Sequence, residues 1–291
     1  MRRPLVLLLA LVPFLATPAL AQGNLIIVGG GGRPDTIMGK FVELAGGPGA
    51  RILVIPNASA NAEGAGESQA EGLRRLGADA SFVALDAASA DDPAVLERFE
   101  GVTGVWFPGG VQSRLMDVIG GTRAADAIRQ VYTRGGVVGG SSAGAAVMTT
   151  PMITGGEKRP AREDDDWNII ERNNVEWADG LDLLPDAVVD QHFVRRKRHN
   201  RLMSLAMEYP DKVGAGIDEA TAIWVKADAT WEVLGRSVVV IYDARPANVS
   251  PDRLPLGAAN MRLHVLPHGG MFNPATGAAI MPGGSVPVKR F

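Results

Sequence analysis

The sequence predicts an α/β fold: a mostly parallel sheet with helices on both faces and extra β elements toward its C-terminal end. Three observations predict it. From residue 24 onward, short apolar runs alternate with longer amphipathic stretches, as parallel strands alternate with the helices that cover them. The apolar runs end near Gly, Pro or Asn, which stop strands and open turns. One of them, Val137–Val138, leads through glycines into Ser141-Ser142 and then a stretch of small residues, a strand, a tight turn and a helix in sequence.

The first residues are of another kind. Arg2 and Arg3 precede an apolar run from Leu5 to Leu15, broken only by Pro13, and Ala19-Leu20-Ala21 stands before Gln22. A positive start, an apolar centre and a small-x-small site make a signal peptide over residues 1–21. The run is short for a membrane span, which would make an uncleaved anchor. Cleavage would leave 27 basic residues against 32 acidic ones, a formal charge of −5. No second apolar segment reaches the roughly 18 residues of a membrane helix. The expectation is an exported chain, periplasmic or secreted, free of the membrane after cleavage.

Within residues 22–291, Leu25–Val28, Arg51–Ile55, Ala80–Leu85 and Val102–Phe107 read as buried strands. Glu67–Leu76, Asp92–Phe99, Gln112–Ile119 and Ala124–Tyr132 carry helical periodicity. Beyond residue 150 the pattern loosens, and Thr154–Asn174 reads as a polar surface excursion. Ala187–Val189 looks like a further strand, followed by a helix near Arg201–Glu208. Ile217, Ala222–Val225 and Val238–Tyr242 suggest later strands, and short strands and turns follow from Pro251. No linker and no repeat interrupts the chain, so one domain is expected.

Composition narrows the chemistry. The 291 residues are 46% hydrophobic with a formal charge of −3, which argues against a nucleic-acid binder. There is no cysteine, so disulfides, a thiol nucleophile and thiolate metal sites are excluded. Only His192, His199, His264 and His268 are available, too few for a histidine-rich zinc site, and no metal is expected.

The strongest local signal is Gly140-Ser141-Ser142-Ala143-Gly144. It is a G-x-S-x-G elbow between a strand and a small-residue helix, which lifts the central hydroxyl clear of the sheet. Ser142 is the candidate nucleophile, and the Ala143 N–H can stabilise an oxyanion. The bland reading is a glycine-rich turn with a capping serine; Ser141 is a rival whose offset does not fit. A second glycine pair, Gly109-Gly110, follows the Val102–Phe107 run and opens the next helix. The Gly110 N–H is a candidate second donor, or the pair is a plain turn.

His192 stands just past an apolar strand, in Asp190-Gln191-His192-Phe193. Arg195, Arg196, Lys197, Arg198 and Arg201 place five positive charges within seven residues beyond it. Such a run either faces solvent or recognises carboxylates bidentately. His199 lies inside it and is less well placed. Asp218-Glu219 follows another strand and offers an orienting carboxylate, although an acidic pair at a turn is commonly a cap. Ser142, His192 and Glu219 would then form a hydroxyl–imidazole–carboxylate triad. Its chain order differs from that of α/β-hydrolases, and Asp218 or Asp190 could replace Glu219.

Two leads weaken. Gly29-Gly30-Gly31-Gly32 follows a strand, but Pro34 stands where a dinucleotide loop needs its last glycine. The acidic run Glu163-Asp164-Asp165-Asp166 could attract a cationic substrate, or be a solvated loop.

Taken together, Gly109-Gly110-x-Gln112, Gly140-Ser141-Ser142-Ala143-Gly144-Ala145, Asp190-Gln191-His192-Phe193 with Arg196, Arg198 and Arg201, and Gly216-Ile217-Asp218-Glu219-x-Thr221-Ala222 resemble the cyanophycinases. These are serine peptidases related to aspartyl dipeptidase E, on a flavodoxin-like, three-layer fold similar to class I glutamine amidotransferases. The resemblance spans roughly residues 24–245. It implies Ser142 as nucleophile, His192 as base, Glu219 as acid, and Gly110 and Ala143 as oxyanion donors. It also implies that Gln112, Asp190, Gln191, Arg196, Arg198 and Arg201 shape a pocket for a β-aspartyl unit carrying arginine. The implied reaction cuts the poly-aspartate backbone of cyanophycin to β-Asp-Arg dipeptides, without cofactor and commonly in a homodimer. Pro108 and Val111 depart from the Thr and Asp common in relatives, beside the implied pocket. Two other functions are therefore weighed: a peptidase for Asp-containing or isoaspartyl dipeptides, and a non-catalytic anion-binding protein.

Overall fold

The computed structural model describes residues 22–159, 169–251 and 255–283. The expected signal peptide and the Glu163–Asp166 run lie outside the described residues.

The chain opens with β1 (Asn24–Val28), whose side chains alternate between two cores: Leu25 and Ile27 enter one, Ile26 and Val28 the other. Both faces of this strand are therefore buried, as the continuous apolar run requires. Helix α1 (Asp35–Leu44) follows, then β2 (Arg51–Val54), α2 (Ala62–Arg75), β3 (Asp79–Phe82) and a short α3 (Pro93–Leu96). Next come β4 (Gly104–Phe107), α4 (Gln112–Ile119), α5 (Arg123–Thr133), β5 (Val137–Ser141) and α6 (Ala143–Ala146). Strands β1, β5, β4, β2 and β3 lie side by side in that order, all parallel. The two faces are covered by different helices. Ile37, Phe41 and Leu73 of α1 and α2 pack on one side, and Leu115, Ile119 and Ile128 of α4 and α5 on the other.

The second half adds β6 (Met152–Glu157), β7 (Val175–Ala178), β8 (Ala187–Gln191), α7 (His199–Glu208), β9 (Val213–Ile217), β10 (Thr221–Val225), β11 (Trp231–Gly235) and β12 (Val238–Asp243). Short pieces end it: β13 (Asn248–Val249), β14 (Ala258–Ala259), β15 (Arg262–Pro267), β16 (Met271–Asn273) and β17 (Ala278–Ile280). Strands β10, β11, β16 and β17 extend the main sheet antiparallel from β1. A separate sheet runs β15-β12-β9-β8, with only β8 and β9 parallel. The two sheets share one core, in which Ile217, Val239, Ile241 and Leu266 join the cluster of Ile223, Trp231, Val233 and Phe272. The outer face of the second sheet is covered by Leu202, Leu205 and Ala206 of α7, against Val188, Phe193 and Val240.

The predicted class holds, with parallel strands, helices on both faces and added C-terminal strands. The C-terminal strands, however, make the main sheet mixed. The expected polar excursion at Thr154–Asn174 begins inside a strand: β6 pairs with β7 through a register shift between Ile153 and Glu157. No described helix is long and apolar enough to cross a membrane.

Candidate active site

Strand β5 delivers its chain directly into the elbow. Ser142 has φ 56° and ψ −110°, and its N–H donates to the Val28 carbonyl at 3.0 Å. A non-glycine residue in that region carries about 1–3 kcal/mol of strain, which the surrounding packing must hold. Glycine is required on either side of it. A Cβ on Gly140 would lie 2.3 Å from the Gly144 carbonyl, and one on Gly144 would lie 2.2 Å from the Phe107 carbonyl. Ser141 is buried at the strand end, whereas Ser142 is half-buried. Ala143 opens α6, so its N–H has no acceptor within the helix.

The loop after β4 runs alongside. A Cβ on Gly109 would lie 3.3 Å from the Ser142 Cβ, so the first glycine of the Gly109-Gly110 pair is a close neighbour of Ser142. Gly110 has φ 147°, and its Cβ would strike the Ala58 carbonyl at 2.0 Å. The next residue, Val111, donates its N–H to that same carbonyl at 2.8 Å.

His192 sits one residue beyond β8, with φ 49°. Its backbone N–H donates to the Gly29 carbonyl at 2.6 Å. Its Nε2 lies 3.0 Å from the Ser142 Oγ, and its Nδ1 lies 2.6 Å from the Glu219 Oε1. With a carboxylate as partner, Nδ1 holds the proton and Nε2 presents its lone pair to the hydroxyl. The Gln191 Oε1 is a second, longer acceptor for the same hydroxyl, at 3.4 Å. Burial pushes the His192 imidazole below its ordinary value. The Glu219 hydrogen bond and charge pull it back up, and the Arg196 and Arg198 charges push it down again. The net depression keeps the ring neutral at neutral pH, the form a base needs.

The run Gly29–Gly32, which resembled only a failed dinucleotide loop, forms the wall behind this pair. A Cβ on Gly30 would lie 2.4 Å from the His192 ring, and one on Gly31 would lie 2.8 Å from the Glu219 Cβ. The Gly30 carbonyl also accepts the Ala220 N–H at 2.9 Å. A glycine run after a buried strand does signal close approach of another segment, but not which segment.

Of the three carboxylates weighed for His192, Glu219 alone is hydrogen-bonded to the ring. Its side chain is 33% exposed, open to solvent on one side. Asp190 is 1% exposed and receives Arg201 bidentately, at 2.7 and 2.5 Å. Arg201 is itself only 2% exposed, so this pair ties β8 to α7 from within. Arg198 donates to the Gln191 carbonyl at 2.8 Å and lies 3.8 Å from Asp190. Gln112 is also internal, its Nε2 donating to the Ile153 and Thr154 carbonyls at 2.7 and 3.0 Å. Of the six residues implied for a pocket, Gln191, Arg196 and Arg198 stand near the His192 ring. Asp190, Arg201 and Gln112 are buried braces. His199 pairs with the Tyr242 hydroxyl at 2.9 Å.

Asp218 is buried. Its Oδ1 accepts the Arg195 N–H at 2.9 Å and its Oδ2 accepts the Ser237 hydroxyl at 2.7 Å. Burial alone would raise its carboxyl, but these hydrogen bonds, with others from the Glu219 and Val194 N–H groups, hold it below the ordinary range. Among the described residues no group of three or more His, Asp or Glu could hold a metal ion.

This geometry has a known setting. Residues 25–233 match the model of peptidase family S51. The chain belongs to peptidase family S51. It is a serine-type peptidase. A cyanophycinase of Synechococcus elongatus is 37% identical over 257 residues, covering 84% of this chain and 77% of that protein. A cyanophycinase of Geminocystis herdmanii (strain PCC 6308) is 34% identical over 259 residues, covering 84% of this chain and 92% of that protein. The crystal structure of a peptidase from an acI-B1 Actinobacterium has the same fold, with TM-score 0.59 and 24% identity over 82% of this chain and 94% of that one. In this S51 peptidase the matched region ends inside β11 and contains every element that carries Ser142, His192 and Glu219.

Proposed function

We propose that this S51 peptidase is an exported cyanophycinase working through Ser142, His192 and Glu219. The observation that carries the mechanism is the unbroken chain from hydroxyl to imidazole to carboxylate, 3.0 and 2.6 Å long. The Ser142 Oγ attacks the backbone carbonyl of the substrate while the His192 Nε2 takes its proton. The Ala143 and Gly110 N–H groups receive the oxyanion, a contribution worth about 10²–10³ in rate per donor. His192 then protonates the leaving amine, and an acyl-enzyme remains. Water, deprotonated by His192, attacks that ester and frees Ser142.

Cyanophycin as substrate is supported by the cyanophycinase relatives and by the cationic loop after His192. Arg195 and Arg196 are exposed there, where they can meet the substrate's carboxylates. Export rests on the residue 1–21 pattern. The non-catalytic anion-binding alternative fits poorly, because it gives no reason for a strained serine hydrogen-bonded to a neutral histidine.

The test is mature protein and Ser142→Ala incubated with insoluble cyanophycin, reading products by mass spectrometry. Release of β-Asp-Arg by the wild type alone supports nucleophile and substrate together. Silence from both, with a fluorophosphonate still labelling Ser142, would discard cyanophycin and keep the peptidase. Asp-containing and isoaspartyl dipeptides would then be the substrates to try, since Val111, 44% exposed beside Gly110, departs from the acidic residue of relatives.

A further inference from the structure

The loop that carries His192 has an awkward composition. Between the base and α7 stand Arg195, Arg196, Lys197 and Arg198, which repel one another. Two of its residues, His192 and Lys197, have positive φ, at 49° and 53°. Within the loop the Arg196 and Arg198 N–H groups bond the His192 and Phe193 carbonyls, at 2.9 and 3.0 Å. Those bonds shape the turn without fixing it to the molecule.

Bonds from the loop's own backbone N–H groups fix it. The His192 N–H reaches the Gly29 carbonyl at 2.6 Å, and the Phe193 N–H reaches the Ile217 carbonyl at 3.2 Å. The Arg195 N–H reaches the Asp218 Oδ1 at 2.9 Å. The first two acceptors are backbone and survive any substitution, so among these acceptors Asp218 is the one that a substitution can remove. Its other oxygen is tied to Ser237 at 2.7 Å. Ser237 is tied in turn, its N–H donating to the Thr221 Oγ1 at 2.9 Å, while that hydroxyl donates to the Glu219 carbonyl at 3.1 Å. One carboxylate thus links the backbone of the base's loop to the turn that presents the acid.

We infer that Asp218 is the positioning residue of the His192 base, holding the backbone of its loop while Glu219 holds its ring. This rests on reading Ser142, His192 and Glu219 as the triad. Asp218 touches no reacting atom. Its effect is on the Ser142–His192 distance, and displacements near 1 Å can cost about 10²-fold in rate. Asn at this position is nearly isosteric but acceptor at one end only. Ser237 can turn its hydroxyl to accept from that amide, which leaves the amide oxygen facing the loop, so Asp218→Ala is the variant that takes both acceptors from the loop's N–H groups.

The test is the rate at which a fluorophosphonate phosphonylates Ser142 with loss of fluoride, because that reaction needs the base and not the loop's arginines. Asp218→Ala should slow this labelling about 10- to 100-fold, with the thermal midpoint measured on the same samples. Ser237→Ala, which leaves the Arg195 bond in place, should slow it less and in the same direction. In a His192→Ala background, Asp218→Ala should cause no further fall, because its effect passes through the base. Labelling at the wild-type rate in a folded Asp218→Ala would overturn the inference. So would an equal fall in the His192→Ala background, or a fall that tracks the unfolded fraction. Labelling at the wild-type rate in His192→Ala itself would instead overturn the triad reading, and the two failures are separable in one experiment.

Discussion

His192 is held between opposing influences, and the balance can be read as a pH profile. Burial, Arg196 and Arg198 depress the imidazole, and Glu219 raises it. The base works only when neutral, so kcat/KM should fall as pH drops through the folded pKa, below the ordinary value of about 6.5. Arg196→Gln removes a depressing charge and should move the acid limb upward. Glu219→Gln removes the raising partner and should move it downward, with a large loss of rate. Equal acid limbs in the three proteins would refute this account of the base. Gly30→Ala tests the wall behind the ring, because its Cβ would meet the imidazole at 2.4 Å. We expect kcat to fall about 10²-fold from displacement of the base, while Gly32→Ala, whose Cβ meets nothing within 4 Å, leaves activity near wild type. At this scale Ser142, His192 and Glu219 are legible in the sequence because each follows an apolar strand at a turn. Gly30 and Gly31 are not, because their need for glycine comes from residues some 160 to 190 positions away, and no local pattern records it.

Among elements, the Asp190–Arg201 pair shows what the cationic run does. Both residues are nearly inaccessible, so removing the arginine leaves a buried carboxylate without its bidentate partner. Arg201→Met should therefore destabilise by about 3–5 kcal/mol, measured by denaturant unfolding. Replacing both with apolar residues, as in Asp190→Leu/Arg201→Met, should recover much of that loss. A double variant less stable than the single would show that the pair is favourable in itself. From sequence the run could be solvent-facing or ligand-facing, and Arg201 is neither, because it lies on the inner face of α7. Helix α1 was missed altogether. Its buried positions, Ile37, Met38, Phe41 and Val42, make a helical stripe, but glycine-rich turns crowd both ends and Gly39 interrupts it. Strand β6 was hidden by Gly155-Gly156, which sit at its register shift.

The whole molecule assembles its site from two sheets. Ser142, Gly30 and Gly109 follow β5, β1 and β4 of the main sheet, whereas His192 and Glu219 follow β8 and β9 of the second. The Ser142–His192 distance is therefore set by how the sheets pack, and that packing lies in one shared apolar core. Interiors packed this densely transmit a volume change as displacement rather than absorbing it. Ile241 is buried in β12 on the face shared with the main sheet. Ile241→Ala should destabilise by about 2–5 kcal/mol and let the second sheet settle toward the main one. Leu73→Ala, in α2 on the far face of the main sheet, should cost a similar amount without touching the contact between sheets. At a temperature where both variants are folded, a fluorophosphonate should label Ser142 more slowly in Ile241→Ala than in Leu73→Ala. Equal rates would mean that the bonds His192 makes to Gly29 and Glu219 fix the base by themselves, and that sheet packing supplies stability only.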